Sequence, residues 1–133
     1  MDWMEWYQSL HKPAWTPAPA IIGLIWNVLY PVIAISFGYV FVRAILGKLP
    51  WSVAAPFAVN LAANLAFTPI MFGLRNIPLA TADILLVWAT IVWMVIAVWK
   101  HSRVIAIAQA PYFVWVSIAT ALQVSILLLN TSR

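Results

Sequence analysis

The side chains in this sequence that are equipped for chemistry are few, and they stand inside long apolar runs. Asn60 and Asn64 are four residues apart and share one helical face. Two amides in hydrocarbon need partners: they are either an interhelical tie worth about 0.6 to 2 kcal/mol or the polar contacts of a ligand cavity. Asp83 is the only acid within an apolar run. A carboxyl there faces protein or water, and serves as a structural tie, a ligand contact or a proton site. Tyr112, Trp115, Ala119 and Gln123 advance by 3, 4 and 4 along one helical stripe, and Trp26 and Tyr30 form a shorter one. Such aromatics fit a core, an interfacial belt or a flat-ligand cavity, and the small and polar neighbours of Trp115 tilt it towards the cavity.

Other chemistries are excluded by composition. There is no cysteine, so disulfides and thiolate ligands are ruled out. His11 and His101 fall in different connections and make no metal site, so neither a metal nor a resident cofactor is expected. No nucleophile–base arrangement, phosphate loop or nucleotide fingerprint is present.

The elements that must position these residues are four apolar runs near residues 20–42, 51–72, 78–99 and 104–129. The 133-residue chain is 65% hydrophobic and 8% charged and carries nine tryptophans. Each run is long enough to cross about 30 Å of hydrocarbon as a helix. The expected fold is an all-α membrane protein, one domain over residues 1–133. It is a bundle of four antiparallel, up-and-down transmembrane helices with a lipid bilayer as solvent. The runs are continuously apolar, which excludes barrel strands. Pro50 and Pro78 suit first turns; Pro56, Pro69 and Pro111 lie inside runs and should bend them. Residues 1–19 form an amphipathic N-terminal or lid segment without a signal-peptide core, leaving the first run as the insertion signal.

The net charge of +4 is no nucleic-acid footprint, because the basic residues sit in connections and at the chain end, where they reach headgroups. Four helices place both termini on one side. That side holds Lys12, Arg75 and Arg133, against Arg43, Lys48, Lys100 and Arg103 on the other, which leaves orientation undecided. Trp3, Trp6, Trp51 and Trp99 lie near run ends and fit an interfacial belt. Ala54, Ala58, Ala62 and Ala66 put a small residue at every fourth position. This stripe either packs within the bundle or forms a homodimer contact. Ala62 stands about 200° around the helix from Asn60, so stripe and amides point in nearly opposite directions.

The ordered motifs LHKPAWTPAPAIIGLIWNVLY (residues 10–30), NLAFTPIMFGLRN (64–76), Asp83 within ATADILLVW, PYFVWVSIATAL (111–122) and Asn130 resemble the tryptophan-rich sensory protein/translocator protein family (TspO/MBR). The resemblance implies a usually dimeric helical membrane protein. Its ligands would be porphyrins or other flat hydrophobic molecules, sterol-like or benzodiazepine-type, held beneath the first loop. Some bacterial members look able to degrade protoporphyrin in light, with the porphyrin as substrate. By motif, Trp15 and Trp115 match tryptophans implicated in ligand contact and photochemistry, and Tyr30, Asn64, Asp83 and Ala119 match other cavity positions. The alanine-rich second helix matches the one that carries the dimer contact.

The expected arrangement is therefore Lys12 and Trp15 in a lid, Asn60, Asn64 and Asp83 on a polar wall, and Trp26, Tyr30, Phe67, Tyr112, Trp115 and Ala119 on an apolar wall. Binding as sensor, scavenger or carrier leads; light-dependent porphyrin degradation and a non-binding scaffold are the alternatives. The resemblance allows a bacterial envelope or a mitochondrial outer membrane, the former favoured. It also implies five spanning helices, one ahead of the KPAW loop, whereas about ten residues precede that motif here. Phe67, Ala18 and Gln123 stand where tryptophan, proline and asparagine are usual in that family, and Leu79 where some members have tryptophan.

Overall fold

A computed structural model describes residues 2–131, and every described element is helical. Helix α1 (Trp3–Ser9) starts at Asp2, whose carboxylate accepts the Glu5 N–H at 2.8 Å. Such an N-cap satisfies one of the orphan donors of the first turn. The proline-bearing stretch 10–18 is not helical, and Pro19 opens α2 (Pro19–Ile45) at a position where its missing N–H costs nothing. Helix α3 (Trp51–Thr68) runs into a π-helical turn, Pro69–Gly73; α4 spans Ile77–Val98, α5 Arg103–Ala108 and α6 Ala110–Thr131.

Four segments are long and apolar enough to cross a membrane: Pro19–Ile45, Trp51–Gly73, Ile77–Val98 and Arg103–Thr131. They coincide with the expected runs, and the chain is an integral, multi-pass membrane protein. Arg133, counted above with the terminal side, lies outside the described residues.

Local chemistry explains the joints. Gly47 adopts φ +72° after α2, and the Lys48 and Leu49 N–H groups turn back onto the Arg43 carbonyl. At the far end of α3, Pro69 brings no N–H to the ladder, and the turn widens until Leu74 N–H reaches the Pro69 carbonyl at 2.9 Å. Arg75 then takes a left-handed conformation with φ 53°, and Asn76 caps α4 by accepting the Leu79 N–H at 3.0 Å. Ser102 caps α5 likewise, through Ile105. Pro111 interrupts the last span: α5 ends at Ala108, and Gln109 makes the corner before α6. Pro31 and Pro56 sit inside unbroken helices.

Helix α4 is central, with α3 on one flank and α6 on the other, while α2 is held by α3 and α5. The core between them is filled by Phe57, Ile91, Met94 and Val98, all fully buried. Antiparallel order is visible in the ties between α4 and α6: Trp88 Nε1 donates to Ser117 Oγ, and Gln123 Nε2 donates to Thr81 Oγ1.

The attachment of α2 is uneven, and this shapes the site. Its buried residues begin at Leu29 and continue through Ile33, Ser36, Phe37, Val40 and Ala44. The half from Pro19 to Val28 has none. Gln109 at the α5–α6 corner fixes the buried half, donating to Ser36 Oγ at 3.0 Å. The unburied half touches the core only through the partly buried Ile22, Ile25 and Trp26, and a space lies beside it.

Candidate ligand cavity

That space is a half-enclosed cavity of about 700 Å³. From α2 it receives Pro19, Ile22, Gly23, Trp26 and Tyr30; from α3 and its π turn, Asn64, Phe67, Thr68, Met71 and Phe72. Helix α4 adds Ile84 and Val87, and α6 adds Trp115, Val116, Ala119, Leu122, Gln123 and Ile126. Such a volume suits a small-molecule site, and its mostly apolar lining with a few polar groups is the usual chemistry of one.

Trp26, Tyr30 and Trp115 form an aromatic wall of the cavity. Trp26 and Tyr30, one turn apart, stack with ring centroids 5.0 Å apart, and the edge of Trp26 meets Tyr112 at 6.3 Å. Trp115 is 7% exposed, and its indole Nε1 is buried without a hydrogen-bond partner among the described residues. One to two turns on, Ala119 and Gln123 continue the same wall. Gln123 is already engaged, donating to Met71 Sδ at 3.5 Å and to Thr81 Oγ1 at 3.3 Å.

Helix α1, within the segment 1–19 expected to act as the lid, closes the terminal end of the cavity. Trp3 and Tyr7, four residues apart on one face, line the cavity. Trp3, Trp6 and Tyr7 all meet the Phe72 ring edge-on, at 5.3, 6.2 and 5.8 Å. Trp3 therefore holds more than an interfacial belt position. The spacing of Trp3 and Tyr7 was the available signal. Phe72 carried no equivalent signal, because the π turn that aims it cannot be read from periodicity.

Three expected wall residues, Asn60, Tyr112 and Asp83, stand elsewhere. Asn60 is fully buried and turned to α4, donating to the Val87 carbonyl at 3.1 Å and to Thr90 Oγ1 at 2.9 Å. It is an interhelical tie. Tyr112 is fully buried behind the wall; its hydroxyl donates to Asn60 Oδ1 at 2.9 Å and accepts from Asn64 Nδ2 at 2.7 Å. Asn64, one turn beyond Asn60, reaches both this network and the cavity. Asp83 does not line the cavity, since Ile84 and Val87 are the α4 residues that face it; its Oδ2 is buried without a hydrogen-bond partner among the described residues.

The lid pair is also displaced. Trp15 is 52% exposed and outside the cavity. Lys12 lines a separate, shallower groove beneath the 10–18 stretch. Its ammonium donates to the Tyr7 and Leu10 carbonyls at 2.7 and 3.2 Å and lies 4.6 Å from the Tyr7 ring centroid. Partial burial lowers the pKa of Lys12 and raises that of Tyr7.

The alanine stripe divides. Ala58 and Ala62 face outward and Ala66 is half-buried, but Ala54 is 1% exposed inside the bundle. The reason is geometric: each step of four residues overshoots a full circle by about 40°, so Ala54 and Ala66 are about 120° apart. Ala54 is core and cannot belong to an outer contact.

The sequence matches the TspO/MBR family model over residues 1–129. Among similar proteins, the tryptophan-rich protein TspO of Bacillus cereus is 37% identical over 125 residues, covering 94% of this chain and 80% of its own. An uncharacterised membrane protein of Bacillus subtilis, YtaB, is 36% identical across 95% of this chain and 81% of its own. The human translocator protein is 32% identical across 90% of this chain and 71% of its own. The four apolar spans, the aromatic cavity beside α2 and these matches together place the chain in the TspO/MBR family.

Proposed function

We propose that this protein binds flat, hydrophobic ligands of the porphyrin or sterol class in the cavity beside α2, as a sensor, scavenger or carrier within the membrane. The observation that carries the reading is the cavity wall itself: the Trp26–Tyr30 stack on α2 and Trp115 on α6 border an apolar space of about 700 Å³. Indole and phenol rings stack on a flat aromatic plate, and Trp115 Nε1 and the Asn64 amide supply a small number of orienting polar contacts. Ala119 leaves room where a larger side chain would fill the space.

Light-dependent porphyrin degradation is the second reading, favoured by Trp115 because an indole beside a bound porphyrin is an oxidisable neighbour. Trp15 lends it no support, being outside the cavity. A homodimer through Ala58, Ala62 and Ala66 is proposed for the outer face of α3, where small side chains permit close backbone approach. The two Bacillus relatives exceed the human one in identity, which favours a bacterial envelope as the membrane.

The test is a protoporphyrin titration of the detergent-purified protein, followed by tryptophan quenching in the dark and porphyrin absorbance under light. Saturable quenching is expected, weakened several-fold in Trp115→Phe and unchanged in Trp15→Phe. Quenching that never saturates overturns the binding reading; Trp115-dependent bleaching under light and oxygen puts the enzyme reading ahead.

A further inference from the structure

We infer that Arg43 and Arg103 seat the phosphate of an anionic phospholipid at the end of the bundle opposite the N-terminal segment, a site separate from the cavity beside α2. Helices α2 and α4 end there, and α3 and α5 begin. Arg43 stands in the last turn of α2, Lys48 follows in the connection, Lys100 and His101 lie between α4 and α5, and Arg103 opens α5. The chain has three acids, and none is at this end. Asp2 and Glu5 belong to the N-terminal segment, and Asp83 is about 22 Å of helix away from Val98 at the end of α4. No side-chain carboxylate therefore neutralises these four cations.

The two arginines are level with each other. Gln109 donates to Ser36 Oγ, tying the end of α5 to α2. From that tie α2 runs on to Arg43 and α5 runs back to Arg103, so each lies about 9–10 Å from it towards the same end. Each is also set against an aromatic ring. The guanidinium carbon of Arg43 is 5.6 Å from the Tyr39 ring centroid, and that of Arg103 is 5.3 Å from Trp99. Stacking of this kind holds the planar fork while leaving its N–H groups for an acceptor of matching geometry, such as phosphate. Among the described residues, the buried Nε of Arg43 has no hydrogen-bond partner.

The surroundings favour a lipid phosphate over a free one. Leu46 and Ile107, about one turn from Arg43 and Arg103, are exposed and apolar, as are the adjoining Val42 and Val104. Trp51 and Trp99 are exposed at the same end, where indoles settle at headgroup level. A phosphodiester held by the two guanidiniums would lay its acyl chains along Leu46 and Ile107, whereas inorganic phosphate would leave them uncovered. Lys48 and Lys100 draw an anionic headgroup and repel the ammonium of a zwitterionic one.

The test takes the full chain in dodecylmaltoside micelles doped with phosphatidylglycerol or with phosphatidylcholine of the same acyl chains, and reads melting temperature against lipid mole fraction. A saturable rise is expected with phosphatidylglycerol and none with phosphatidylcholine. Arg43→Gln and Arg103→Gln should each weaken the apparent affinity about tenfold, the scale of lost charge-assisted hydrogen bonds. Arg75→Gln removes the same charge from the other end and should stay within about twofold. Arg103 is exposed, so its variant tests the site even if Arg43→Gln fails to fold. Equal rises with the two lipids, or equal losses in Arg103→Gln and Arg75→Gln, overturn the inference. A rise produced by inorganic phosphate alone, at matched ionic strength, assigns the site to a free anion and overturns the lipid.

Discussion

Asn130 and His11 close a ring of two hydrogen bonds across 119 positions of sequence. The His11 N–H donates to Asn130 Oδ1 at 3.1 Å, and Asn130 Nδ2 donates to the His11 carbonyl at 2.9 Å. The side-chain amide thereby acts as a short piece of strand pairing, fastening the N-terminal segment to the last turns of α6. With the Phe72 cluster it forms the second of two attachments that keep α1 across the end of the cavity.

Asn130→Ala removes both bonds. At about 0.5–1.5 kcal/mol for each, the N-terminal segment should lose about 1–3 kcal/mol of protection. Hydrogen exchange should quicken over residues 3–17 and stay unchanged in α4. Equal exchange in both proteins would show that the aromatic cluster alone holds the segment.

Tyr112→Phe strips the shared partner from Asn60 and Asn64. The fully buried Asn60 carbonyl loses its donor and the partly buried Asn64 amide its acceptor. A loss of about 1–3 kcal/mol in unfolding free energy is expected, with ligand affinity changed less than in Trp115→Phe because Tyr112 lies behind the wall. Denaturation in mixed micelles, paired with titration, separates the two effects; a large affinity loss with unchanged stability would put the hydroxyl in the cavity instead.

Ala54→Leu and Ala62→Leu should behave differently although both lie on the every-fourth-residue pattern. Ala54 is enclosed, so added methylenes should overpack the core and destabilise by about 1–3 kcal/mol. Ala62 faces outward and should leave the melting temperature of the monomer unaltered while weakening any self-association. The opposite ranking would mean that α3 is rotated from the orientation described.

Tyr7 and Lys12 give the segment opposing alkaline responses. Burial raises the Tyr7 pKa, so its contribution is present below pH 10 and is lost as pH climbs through the higher folded value. Burial lowers the Lys12 pKa, so its contribution is present above pH 10.5 and is lost as pH falls through the lower folded value. Tyr7→Phe should therefore leave a segment whose stability rises with pH between the folded Lys12 value and pH 10.5. Exchange rates of α1 measured across pH 9–11 check the sign, and a continued fall in protection would contradict it.

The spans, the aromatic stripes and the family were legible in the sequence because each depends on local pattern. Twenty apolar residues fix a helix in hydrocarbon, and residues three or four apart fix a face. What remained hidden depended on how far one helix stands from another. Asn60 and Asn64 share a face, yet only Asn64 reaches the cavity, because Tyr112 fills the space next to Asn60. Asp83 is one residue from cavity-lining Ile84, and about 100° of helix rotation separates their directions. Trp15 and Lys12 belong to a stretch without periodicity, so no spacing argument could orient them. Trp3 and Tyr7 had the right spacing, but their target was made by a proline-induced turn.

That turn also sets a constraint of pitch on the chain. A π turn holds one residue more than the α-helix it interrupts. Five residues at the wider π pitch turn the chain through about the same angle as four in α geometry, so a single deletion that let the helix run on as α would leave the chain beyond it near its present direction. Winding all five residues as α, once Pro69 no longer withheld its N–H, would instead carry everything beyond them on by about 100°, and Asn76 would arrive at the wrong angle to start α4. The segment thus tolerates the loss of a residue better than the loss of its wider pitch.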